Sequence, residues 1–324
     1  MTADERHTGS VSTATAPAAL AEYDDWPRGP VHLCIGEFDG VHLGHRAALA
    51  ELRRGADAAG ATALAMTFDP IPVEFFAPEA PRSALTDRDE RVRLLFAAGA
   101  GAVTVLRFDD DFSHQLPDEF VQHLVDAADL RRIIVGADFR FGHERQGDVR
   151  TLVGIGNRRG FRVDVVETVY LDGRIVSSAL VRNALLAGEV VDAARLLGRP
   201  FTLTAHAVAG DRRRGQSLGH PAVALTLPAD RIVPRDGVYA VWARLGTERV
   251  PAVANLSLWA TTGGGIARHL EIHLLDRETV LRDDAVEISF ARRLRDELRF
   301  PSGYDLSRQI ARDIVDARAA LENG

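Results

Sequence analysis

The sequence predicts two modules, an N-terminal α/β domain with a doubly wound parallel sheet and a C-terminal antiparallel β-barrel closed by a helix. Three observations carry this. Up to Ser178, short apolar runs alternate with helical patterns. After Phe201 the runs become strand-like, with turn residues between them. The last residues repeat apolar side chains at helical spacing. At 324 residues the chain exceeds one ordinary core and suits two domains.

In chain order, VHLCIG and ATALAMTF read as buried strands with a helix over 45–59 between them. AVTVLRF and RRIIVGADF follow, separated by a helix over 117–129, and then FRVDVVETVY. These runs are apolar on both faces, as a parallel sheet covered on two sides requires. The first domain is therefore Rossmann-like and assigned to 29–185, with 186–200 as linker and 201–324 as the barrel domain. FTLTAHAV, GVYAVWARL, RVPAVANLSL, RHLEIHLL and AVEISFARRL supply the barrel strands. Leu306, Ile310, Ile314 and Ala317 mark the closing helix over 305–321.

Residues 1–28 are rich in Thr, Ala and Ser and read as a disordered tail, without the basic and apolar regions of a secretory signal. No apolar stretch approaches the ~20 residues that span a bilayer, so a cytoplasmic protein with no membrane partner is expected. A net charge of -7 argues against a nucleic-acid partner, which would need a broad basic surface. The single cysteine, Cys34, excludes an intramolecular disulfide and reads as a small core residue.

In an open parallel sheet, ligands bind at the carboxyl ends of strands, where Gly-rich turns lead into helices. The first such turn is IGEFDGVHLGHRA. Gly36 and Gly40 let backbone approach a ligand, and His42 and His45 flank Gly44 at a helix start. That start offers unpaired N–H groups and a positive dipole end to phosphate. Two imidazoles there can donate hydrogen bonds to charge that develops on a polyphosphate. A side chain at Gly44 would stand where a nucleotide lies. No protein metal site is expected, because no third ligand follows at a matching spacing.

The segment resembles the HxGH signature of the nucleotidyltransferase superfamily, and IGEFDGVHLGH resembles the prokaryotic bifunctional riboflavin kinase/FAD synthetase family. TFDPIPVEFF, LTDRDERVRLL, VGADFRFGHERQGD and SSALVRNALLAGEVVDAARLLGRPF are similar to that family in its own order. The resemblance implies adenylyl transfer from ATP, with Mg²⁺, to FMN, giving FAD and pyrophosphate. It gives His42, His45 and Arg182 catalytic roles, and Gly36, Phe38, Asp39, Gly44 and Ser178 the ATP. Asp138, Phe139 and Phe141 would lie near FMN, although the two rings also read as packing residues. An arginine fork suits two phosphate oxygens. Glu37 and Ala179 replace the family's usual Asn and Thr.

The family's barrel is a riboflavin kinase, with a basic loop, PTAN, a second Pro-Thr pair and an activating glutamate. Here GDRRRGQSLGH runs into PAVA, so Ala222 and Ala224 stand where Mg²⁺ would need oxygen ligands. WATTGGG replaces the second Pro-Thr pair and RDDA the Tyr-Gly pair, while Glu271 remains in HLEIHLL. The basic run at 212–214 reads as a phosphate grip or a solvated loop. Loss of the kinase is expected, with Glu271, Ala222 and Ala224 as a vestigial site. A fully bifunctional enzyme, a flavin- or nucleotide-sensing protein and transfer to a modified flavin are the alternatives.

Overall fold

Burial runs unbroken through the first strands, and that pattern dictates a sheet with a helical layer on each face. The structure, a computed structural model, describes residues 19–79, 83–207, 221–260, 266–275 and 285–322. The basic loop with 212–214, the TTGGG run and most of the tail lie outside the described residues. In β1 (Pro30–Ile35), β2 (Thr62–Asp69), β3 (Ala102–Arg107) and β4 (Asp129–Gly136) apolar side chains point both ways. With β5 (Arg162–Val166) they form a parallel sheet in the order β3-β2-β1-β4-β5. β1 is central, so its carboxyl end opens onto a crevice between its neighbours.

Period-2 alternation divides the core. Val31, Leu33 and Ile35 enter one cluster with Phe120, Leu124, Leu152 and Ile155, from α3 (Pro117–Ala127) and α4 (Val149–Arg159). Cys34 enters the other with Leu49, Leu52, Val92 and Leu95, from α1 (Leu43–Ala59) and α2 (Arg88–Ala97). The helix expected over 117–129 stops at Ala127, because Asp129 already pairs with Pro30 in β4. FRVDVVETVY is not one strand: β5 ends at Val166, and Tyr170–Leu171 pairs with Arg174–Ile175 in a separate hairpin.

α5 (Ser178–Ala187) and α6 (Val190–Leu197) lead into the barrel. Residues 186–200 are thus packed helix for most of their length, with Val190, Ala193, Leu196 and Leu197 in the barrel's own core. The barrel strands are β6 (Phe201–Ala207), β7 (Val223–Thr226), β8 (Gly237–Leu245), β9 (Glu248–Ala260), β10 (Ile266–Leu274) and β11 (Ala285–Arg295). They close in the order β6-β7-β10-β9-β8-β11. β7 is a strand that the sequence pattern did not signal. α7 (Gly303–Glu322) covers Val238, Ala240 and Val253 with Ala317 and Leu321, and its buried Asp313 accepts from Arg295 at 2.9 and 2.6 Å. Among the described residues no helix is long and apolar enough to cross a membrane.

Candidate active site

The chain leaves β1 through a turn that glycine alone does not explain. Gly40 has φ 84, but Phe38 and Val41 also take positive φ, 52 and 41. Such backbone is unfavourable by about 1–3 kcal/mol per residue and persists only where surroundings over-determine it. Here they do. The Phe38 ring is buried beneath the turn, and Thr67 Oγ1 donates to the Glu37 carbonyl at 2.8 Å. The Asp39 carboxylate, 1% exposed, accepts from the amides of Leu85 and Thr86 at 2.9–3.0 Å and from Thr86 Oγ1 at 3.1 Å. Arg199 Nη1 donates to the Gly40 carbonyl at 2.8 Å, and Ser178 Oγ to the Asp39 carbonyl at 2.8 Å.

The histidines follow at once. His42 is the N-cap of α1, and its Nδ1 accepts from the His45 backbone N–H at 3.3 Å. Burial lowers the His42 pKa to about 4, so the ring is neutral at pH 7 and its proton sits on Nε2, the nitrogen the cap leaves over. Burial, then the neighbouring His42, holds His45 well below the usual histidine range. The rings stack at 3.6 Å and 18°, and the Phe38 ring meets His45 edge-on at 5.2 Å. A Cβ at Gly44 would come within 3.1 Å of His42 Cε1, so this glycine permits the stack itself. The pair therefore offers neutral N–H donors at the positive end of a 17-residue helix.

Positive charge comes from arginine. Arg182 Nε donates to the Ser83 carbonyl at 2.8 Å, and its Nη2 pairs with Asp39. Ser177 caps α5 by accepting from Leu180 N–H, which fixes Ser178 and Arg182 on the helix's first turns. Gly36, Phe38, Asp39, His42, Gly44, His45, Ser178 and Arg182 thus gather at one place. The Glu37 carboxyl is raised above the usual range, first by the protein around it and then by Asp39, although the residue as a whole is exposed.

The residues after β4 do not join this cluster. Among the described contacts no hydrogen bond or ring contact links Asp138, Phe139 or Phe141 to the histidines. Phe141 is buried against Phe120 at 5.7 Å and stacks on Phe139 at 5.4 Å, while Asp138 is exposed. A second aromatic group, which sequence reasoning missed, stands just past β2 and β3. Phe108 meets Phe75, Phe76 and Phe68 edge-on at 5.2, 5.7 and 5.8 Å, and Phe76 is 67% exposed. Arg91, 2% exposed, holds the Phe68 carbonyl at 2.7 Å behind it. The run TFDPIPVEFF contained this signal, but its use depends on the fold.

In the barrel, Ala224, Glu271 and Asn255 stand side by side across β7, β10 and β9. Their immediate neighbours Leu225, Leu270 and Leu256 fill the interior, so the three share the outer face. Ala224 is buried there and offers only a methyl group.

Two family models match the chain, one described as FAD synthetase over residues 27–180 and one as riboflavin kinase over 197–321. A bifunctional riboflavin kinase/FMN adenylyltransferase of Pseudomonas fluorescens is 39% identical over 88% of this chain and 91% of its own length. The chain belongs to the bifunctional riboflavin kinase/FMN adenylyltransferase family. The protein of that name from Escherichia coli K12 is 36% identical over 88% of this chain and 91% of its own. A solved structure titled as a macrolide-efflux protein from Streptococcus pneumoniae has the same architecture, with TM-score 0.85 and 25% identity over 93% of this chain and 98% of that one. The expected loss of the kinase finds no support in these matches, since a riboflavin kinase model spans the barrel and these relatives are named for both activities.

Proposed function

We propose that this member of the family transfers the adenylyl group of ATP to FMN, with residues 29–185 as the transferase module, 186–200 as the link and 201–324 as the barrel module. The observation that carries the reading is the stacked, neutral His42–His45 pair at the start of α1, beside the Asp39–Arg182 pair. An oxygen of the FMN phosphate attacks the α-phosphorus in line; the bond to the β-phosphate oxygen breaks, and pyrophosphate leaves. His42 Nε2–H and His45 donate to charge that grows in the transition state, and Arg182 and the α1 dipole stabilise it. No proton has to move at the attacking phosphate, so neutral imidazoles suffice. Mg²⁺ would arrive with ATP and neutralise its phosphates. The exposed Phe76 with Phe75 and Phe108 gives a flat aromatic acceptor a surface to cover.

For the barrel we propose loss of riboflavin phosphorylation, because Ala222 and Ala224 leave Mg-ATP without side-chain oxygens beside Glu271. Asn255, on the other side of Glu271 from Ala224, favours the second reading, a kinase whose metal site is rebuilt. Incubation with ATP, Mg²⁺ and either FMN or riboflavin, followed by chromatography, tests both. FAD from FMN is expected, and its absence overturns the transferase reading. FMN formed from riboflavin at an ordinary enzymatic rate overturns the loss of the kinase.

A further inference from the structure

One residue of the barrel reaches the transferase turn through the backbone. Arg231, between β7 and β8, is 4% exposed. Its Nε donates to the Ala84 carbonyl at 3.3 Å and its Nη2 to the Leu85 carbonyl. Asp87 at 3.1 Å and Glu90 at 2.9 Å balance its charge, and the next residue, Ile232, donates its N–H to the Ala84 carbonyl at 3.0 Å. Ala84 C=O and Leu85 N–H belong to one peptide group, and Leu85 C=O and Thr86 N–H to the next. The two N–H ends are the ones that hold the Asp39 carboxylate. A cation therefore grips the oxygen ends of two consecutive peptides whose nitrogen ends grip an anion, and that anion holds Arg182. Aligned dipoles between opposite charges reinforce each other in a dry interior.

We propose that Arg231 is a positioning residue for adenylyl transfer, acting across the module boundary through the 84–86 peptides on Asp39 and, through it, on Arg182. The inference rests on the transferase reading, and it gives the barrel a part in the first reaction whatever its own chemistry. Without the grip on the carbonyls, the 84–86 segment loses its fixed register, Asp39 loses the direction of its donors, and Arg182 no longer faces one way. Ground-state binding of ATP has other holds, so the effect falls on the transition state.

The test uses the full chain with Arg231→Met and Arg231→Lys. For Arg231→Met, kcat for FAD formation falls about tenfold while KM for ATP shifts less than about threefold, the pattern of a contact made in the transition state. Arg231→Lys, which keeps the charge but cannot span both carbonyls, falls between. Combined with Arg182→Lys, the losses are less than multiplicative, because both act through one guanidinium; independent structural damage multiplies. Amide exchange at Leu85, at Thr86 and at Gly40, whose N–H donates to Thr86 Oγ1 at 3.1 Å, rises in Arg231→Met, and this reads the strut even if the wild type makes no FAD. If Arg231→Met does not fold, Arg231→Lys and Glu90→Gln serve the same measurements. Wild-type kcat, multiplicative losses, or unchanged exchange at the three amides in a folded variant overturns the proposal.

Discussion

The turn after β1 and the outer face of β7–β10–β9 are both places where the resemblance puts ATP, and they are held very differently. In the turn, two non-glycine residues take left-handed backbone, and Asp39, Thr86, Ser178 and Arg199 hold them there. On the barrel face the strands are regular, with Ala224 in ordinary register against Glu271. Strain kept in place by many bonds is what a preorganised site requires. The barrel row is in regular register, and Ala224 offers a methyl group where the resemblance leads one to expect a polar side chain. Scaffold and donors are thus separable: regular strand pairing does not by itself supply the side chains that chemistry needs.

The largest test of that contrast removes the centre of the strained turn. Asp39→Ala leaves Arg182 and three donors from Leu85 and Thr86 without their anion, and about 3–5 kcal/mol of stability should go with it. Chemical denaturation measures this; a change near zero would show that the turn does not depend on its carboxylate. Acid probes the same region. The folded pKa of His42, about 4, lies below the ordinary 6.5 of an unfolded chain, so the unfolded state binds more protons between these values. Stability is full above pH 6.5 and declines as pH falls to 4, by about 3 kcal/mol for this group. Replacing His42 with Gln should flatten that part of the melting-temperature profile, and an unchanged slope would assign it elsewhere.

Chemistry comes next in size. His42→Ala and His45→Ala should each slow FAD formation about a hundredfold, the usual cost of one preorganised donor to transition-state charge. Steady-state rates from folded variants decide it, and wild-type turnover from either would dissolve the site. Smallest is the reverse experiment on the barrel. Ala222→Thr with Ala224→Asn should leave riboflavin phosphorylation within about threefold of the unmodified chain, since transfer needs the whole constellation rather than one pair. A large gain would show that the barrel site lacks only those two side chains.

These contrasts explain what was legible in the sequence. Gly36 to His45 could be read because the turn and the helix start are contiguous, and Ser178 and Arg182 because resemblance carried them. The amides of Leu85 and Thr86 could not, since a backbone donor carries no residue signature and Asp39 lies 46 and 47 residues away from them. Nor could the strut of Arg231, which meets Leu85 across 146 residues. α2 escaped notice because Glu90 and Arg91 are among its buried residues and break the apolar period. β7 is four residues long and partly alanine, too little for an alternation to register. The fold class was readable throughout because it rests on many side chains, each contributing a little.

The buried cluster of the barrel also contains Leu85 from the transferase module and Val181, Ala184 and Leu185 from α5. Leu85 and α5 thus pack into the barrel's interior, while the two clusters on the faces of the parallel sheet remain separate from it. Truncation before the barrel would therefore uncover Leu85, Val181, Ala184 and Leu185, whatever the barrel's own chemistry. A module retired from catalysis would persist as a piece of another enzyme's interior.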